Sequence, residues 1–306
     1  MNVVYGDVTL GVHGKGFDYI FSYQQGGPES LVTGGVEWLY RAPKPTFWRA
    51  TTCNDRGSRF PHKSSMWMGA DLFIETAKVE VFVNGETLED FRAPDNSRLI
   101  GGPLEHPDAV EVRYTYLTTT MPSTEVIVGY HVDTKGRITV SVRYTGRQGL
   151  PELPVFGLRF IMPSLAEGFE YKGLSGETYP DRKAGGRKGI YSVDGLPVTP
   201  YLVPQECGMH MDSEWVKVFR KSGDRTAALS FRMQGERFAF SALPYMSLEL
   251  ECATHMEELP PARRTVLCIL GAVRGVGGID SWGSDVEKAY HIPSDRDITY
   301  SFQITG

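Results

Sequence analysis

Cysteine is scarce in this sequence and never spaced as a ligand pair; Cys53, Cys207, Cys252 and Cys268 are the four in 306 residues. That excludes a disulfide-stapled scaffold and a CxxC metal or redox site, and it suits a reducing, cytoplasmic compartment. Positive charge is not in excess, because 32 Lys and Arg face 37 Asp and Glu for a formal net charge of −5. With no basic block either, nucleic acid is not expected as a partner. Long apolar runs are missing, and none nears the roughly 18 residues that mark a membrane span. The opening MNVVYGDVTLGV has neither the charged nor the long apolar region of a secretory leader, so no signal peptide and no membrane partner are expected. HExxH, GxSxG, GxGxxG and GxxxxGK[ST] are absent too, which leaves zincin, α/β-hydrolase and phosphate-loop chemistry without sequence support.

What is present favours strands and turns: Tyr 15, Phe 15 and Trp 5 beside Gly 34 and Pro 19. From residue 78 onward the apolar period is two. Val79, Val81 and Val83 are followed by an Asn84-Gly85 hairpin turn, then by Val110 to Tyr116, Val126 to Val132 and Ile138 to Tyr144, each with one apolar face. No βα repeat interrupts them, so the fold class expected is all-β, a large antiparallel sandwich, with residues 1–306 as a single domain. Residues 3–12 and 17–23 read as two further strands, and Pro43 and Pro45 argue against a central strand there. Residues 58–65 read as a polar, mobile segment, with Ser64 or Ser65 capping a short helix that carries Met66, Trp67, Ala70 and Phe73. The charged, glycine-rich stretch 168–195 reads as a long loop. Residues 247–258 are the other helical candidate, with Leu248, Cys252 and Met256 on one face.

Residues 274–285, RGVGGIDSWGSD, are the stretch around which the reading is organised, because they follow an apolar strand at 265–272 and open a glycine-rich loop. That loop presents Asp280, Ser281 and Trp282. Its tryptophan reads either as a stacking platform for a sugar face or as a ring folded back over the end of a sandwich. A second cluster lies at Arg49, Asn54, Asp55 and Arg56, where an Asp55–Arg49 or Asp55–Arg56 pair can hold the turn. Carboxylates available for acid–base work are Asp55, Glu177, Asp181, Glu206, Asp212, Asp280 and Asp285, but their spacing sets no pair across a sugar. Among the histidines His210 is the most suggestive, lying near Glu206 and Asp212. No catalytic or metal residue is assigned from these patterns.

Four segments, EWLYRAPKPTFWRATTCNDRG, GLSGETYPDR, PYLVPQECGMHMDSEW and RGVGGIDSWGSDV, resemble in this order the C-terminal region of glycoside hydrolase family 2 β-galactosidases. The length resembles the small subunit of their heterodimeric form. The resemblance implies a galactose mutarotase-like super-sandwich, and hydrolysis of terminal non-reducing β-D-galactosides such as lactose by a complex. The catalytic glutamates and magnesium belong by this resemblance to a large TIM-barrel subunit, so this chain needs no cofactor and is inactive alone. It also implies that Trp282 stacks on the β-galactoside substrate, with Asp280 and Ser281 beside it. Ser58, Arg59, Phe60, Pro61, His62 and Lys63 match an active-site loop. Cys53 and Cys207 depart from the family's common Asp and Asn. Two other readings remain: a stand-alone mutarotase-like epimerase using His210 and Glu206, and a non-catalytic carbohydrate-binding or assembly module. An interface with the large subunit is expected at residues 38–48 and 200–204.

Overall fold

A computed structural model describes all residues, Met1–Gly306. Its strands form three sheets in which every pairing is antiparallel. The first is a five-stranded meander in chain order, from Asn2–Tyr5 to Val36–Glu37. The second has ten strands, and the C-terminal strand Ile298–Thr305 lies in its middle, between Ile138–Tyr144 and Arg225–Met233. The third runs Met209–Ser213, Phe238–Leu243, Thr265–Val273, Val155–Met162, Arg41–Thr46.

The alternation expected from sequence appears directly as burial. Val110, Val112, Tyr114 and Tyr116, and opposite them Val126, Val128, Tyr130 and Val132, are fully covered. They join one hydrophobic cluster that draws on all three sheets. In the third sheet all six residues of Phe238–Leu243 are buried, so both of its faces are covered. Leu250 and Cys207 pack against Leu243 there. Arg41–Thr46, with Pro43 and Pro45, forms an edge of that sheet, where a missing N–H disrupts no ladder.

Several local expectations are corrected. Residues 3–12 are not one strand but a hairpin, Asn2–Tyr5 pairing with Thr9–Gly14. Stretch 168–195 is not a long loop; Gly168–Leu174 and Lys188–Asp194 pair within the ten-stranded sheet. Helix falls earlier than expected after residue 52, over Cys53–Gly57 and Phe60–Ser64, with a 3-10 turn at Ser65–Trp67. In the second helical candidate only Ser247–Cys252 is α-helical, and Leu250 rather than Leu248 or Cys252 is its buried residue. Trp38, Phe47 and Trp48 belong to the core, so of the aromatics in residues 38–48 only Tyr40 is exposed. Leu202, by contrast, is exposed.

Candidate functional site

The strand Thr265–Val273 delivers Arg274, whose side chain is entirely buried, to the base of the glycine-rich loop. Its guanidinium lies 3.8 Å from the centre of the Phe60 ring and 3.4 Å from Asp55 Oδ1, and it also donates to Asp285. Arg49 approaches the same carboxylate from the other side, with Nη2 donating to Asp55 Oδ1 and Oδ2 at 3.0 and 3.1 Å. Arg49 donates further to the carbonyls of Arg274 (2.9 Å) and Gly275 (2.8 Å). Asp55 is therefore held by Arg49 and not by Arg56, which donates to Thr51 Oγ1 and the Pro204 carbonyl. Thr52 completes the arrangement as the cap of helix Cys53–Gly57, accepting from the Asp55 amide at 3.0 Å.

Two loops far apart in sequence thus form one unit. Asn54 Nδ2 donates to the Val276 carbonyl at 3.0 Å, and Lys63 Nζ to Asp285 Oδ2 at 3.1 Å. Asp181 accepts the amides of Val276 (2.9 Å) and Gly277 (2.8 Å), while Arg182 donates to the Gly277 carbonyl. Segment 58–63 belongs to this unit rather than being a polar mobile stretch. Phe60 is buried beneath Arg274, and Pro61 sits in the first turn of helix Phe60–Ser64, which Arg59 enters in the left-handed region. Ser58 Oγ donates to the Asp55 carbonyl at 3.2 Å; His62 and Lys63 are exposed.

At the tip Trp282 is 91% exposed, the most exposed large hydrophobic side chain in the chain. It is not folded back over the sandwich. Asp280 does not point freely outward: Oδ1 accepts the Trp282 amide at 2.9 Å and the Ser284 amide at 3.2 Å, and Oδ2 accepts from Ser284 Oγ. These bonds, Ser284's hydroxyl first, hold its carboxyl below the usual range. Asp280 shapes the loop, and Ser281 beside it is exposed. Gly283 must be glycine: its φ is +82°, and an added Cβ would lie 2.7 Å from the Gly57 carbonyl oxygen. Gly283→Ala is expected to cost about 1–3 kcal/mol through left-handed strain and this clash. A urea midpoint unchanged from wild type would contradict that.

Of the other carboxylates, Asp212 pairs with Lys183 at 2.8 Å and Glu177 accepts from Thr199 Oγ1 at 2.9 Å. His210 stacks on Phe240 at 4.7 Å, and its Nδ1 lies 2.9 Å from the Gly176 carbonyl. Burial lowers its pKa to about 4. This is the packing of a core histidine, which weakens the epimerase reading. Glu206 is buried, and burial pushes its carboxyl up to about 8, opposed by Arg49 and reinforced by Glu177 and Asp55. The folded chain then keeps a proton that the unfolded chain has lost. Stability should fall as pH rises from the ordinary glutamate range through about 8, by on the order of a few kcal/mol. Glu206→Gln should flatten that slope in denaturation curves; an equally steep slope would contradict the assignment.

Arg274 and Asp285 carry the loop; both lie in the 274–285 segment, but the sequence pattern gives Arg274 no role, because its partners Asp55 and Phe60 are distant in sequence. The geometry defines an all-β chain that presents one bare aromatic on a loop anchored by buried ion pairs. The chain belongs to the β-galactosidase small chain family, whose model matches residues 13–304. It is 56% identical over 310 residues to the β-galactosidase small subunit of Latilactobacillus sakei, covering 99% of this chain and 97% of that one. It is 34% identical to the β-galactosidase of Halalkalibacterium halodurans and 33% identical to that of Streptococcus thermophilus, over 99% of this chain in both cases. It spans only 28% and 27% of those two proteins. Among solved structures it is similar to a galactose mutarotase-like protein from Lactobacillus casei, with TM-score 0.42, 7% identity, and 97% and 99% of the two chains covered. A galactose mutarotase related enzyme from Lactobacillus acidophilus gives TM-score 0.43 and 10% identity, with 97% and 96% covered. Likeness at that distance says nothing of activity. No helix is long and apolar enough to cross a membrane.

Proposed function

We propose that this chain is the small subunit of a β-galactosidase that hydrolyses terminal non-reducing β-D-galactosides such as lactose. In this reading a large TIM-barrel subunit supplies the catalytic carboxylates and magnesium. The small subunit completes the active site with Trp282, and with segment 58–63 beside it. What supports the reading most is the contrast within one loop: its base is locked by Arg49, Asp55 and Arg274, while its indole is left 91% exposed. A ring so held presents a flat apolar face at little further ordering cost, as stacking on a sugar requires. The exposed apolar side chains Met66, Met68, Leu72 and Phe73 follow segment 58–63 directly and offer a face for the large subunit. Four free cysteines fit a cytoplasmic enzyme.

The purified chain should therefore turn over no chromogenic β-galactoside alone, and activity should appear on mixing with the large subunit. Size-exclusion chromatography of the mixture should show one complex containing both. Activity of the verified solitary chain would overturn the division of labour.

A further inference from the structure

A cavity of about 560 Å³ lies behind the loop base, between helix Cys53–Gly57 and the segment that precedes strand Met209–Ser213. Glu206, Glu177, Tyr179, Gln205 and Tyr201 contribute to its wall. Most of these groups are only partly engaged. Gln205 Oε1 accepts the Cys53 amide at 2.7 Å, which leaves its side-chain amide hydrogens to donate. Glu177 takes the Thr199 hydroxyl at 2.9 Å and the Tyr179 hydroxyl at 3.3 Å, with lone pairs to spare on both oxygens.

Glu206 differs from every other buried carboxylate of the chain. It is 7% exposed, it lines both this cavity and a small apolar pocket beside Trp48 and Leu250, and, unlike Asp55 and Asp71, it has neither a hydrogen-bond nor an ion-pair partner within the chain. A buried polar group left so calls for a ligand or water. We propose that this cavity is a binding site for a neutral monosaccharide, formed by this chain alone and distinct from the Trp282 loop. Its size is that of a small-molecule pocket. The wall mixes acceptors on Glu206 and Glu177 with donors on Gln205, the pattern that ring hydroxyls satisfy in both directions. Tyr201, 38% exposed at the wall, gives a ring for the C–H face of a pyranose. A cationic ligand fits less well, because the Arg182 guanidinium shares the wall and burial keeps Glu206 protonated near neutral pH.

The proposal does not rest on the assembly reading, and its test needs no large subunit. D-galactose titrated into the full chain, followed by protein NMR, should shift resonances saturably with Kd on the order of 1–10 mM, the range of a small polar ligand with few anchoring contacts. Glu206→Leu should weaken binding at least ~10-fold, the equivalent of about 1.4 kcal/mol, without lowering the melting temperature. Glu206→Gln should bind within a few-fold of wild type. Tyr201→Ala, at a partly exposed position that the fold does not need, should also weaken binding, and Trp282→Ala should leave it unchanged. Absence of saturation, equal binding by wild type and by both Glu206→Leu and Tyr201→Ala, or saturable binding of methylguanidinium in place of the sugar would each overturn the proposal.

Discussion

Asp55→Ala should destabilise the chain by about 3–5 kcal/mol, the usual consequence of removing one partner from a buried ion pair. Asp55 sits 3.0 Å from Arg49 and 3.4 Å from Arg274, and all three side chains are buried. Without the carboxylate, two guanidinium groups remain in the interior; Arg49 keeps only the carbonyls of Arg274 and Gly275. The cap at Thr52 loses its reciprocal bond as well, worth about 1 kcal/mol. Asp55→Asn preserves the shape and some of the hydrogen bonds and should cost less. Because this cluster joins helix Cys53–Gly57 to the base of the Trp282 loop, Asp55→Ala should also loosen the loop. Chemical denaturation measures the first effect and limited proteolysis near residues 276–284 the second. A loss below about 1 kcal/mol would mean that the pair is not structurally needed.

The strand faces were legible because a half-buried antiparallel strand writes its burial into the sequence with period two, as Val110, Val112, Tyr114 and Tyr116 do. Lys188–Asp194 was not legible, since it is an edge strand whose covered face offers only Gly189, Tyr191 and Val193, while Ile190 on the other face is exposed and blurs the alternation. Phe60–Ser64 is too short for a helical period, and its single core anchor, Phe60, gains meaning only from the arginine above it. The loop tip at Trp282 stood out by composition. Its support did not, because the choice of Arg49 over Arg56 as the partner of Asp55 depends on carbonyls more than 200 residues away. Segment 58–63 and the tryptophan loop were two separate observations in sequence; Lys63–Asp285 and Asn54–Val276 make them one surface.

Trp282→Ala should leave folding untouched, because a side chain 91% exposed in this chain has almost no packing to lose. In the assembled enzyme the expectation is different. An indole that stacks on bound sugar contributes about 1–3 kcal/mol of productive binding, on the scale of burying one large apolar side chain. Its removal should lower kcat/KM roughly 10- to 100-fold. Trp282→Phe should recover part of the loss, since a smaller ring still offers a face. A tryptophan that served only to hold the two subunits together would behave otherwise: complex formation would weaken, and activity would fall only in proportion to the complex lost. Steady-state kcat/KM of the Trp282→Ala complex, verified by size as stoichiometric, separates these outcomes. A fall of about 10-fold or more with the complex intact is the predicted result; an unchanged kcat/KM would remove Trp282 from the active site.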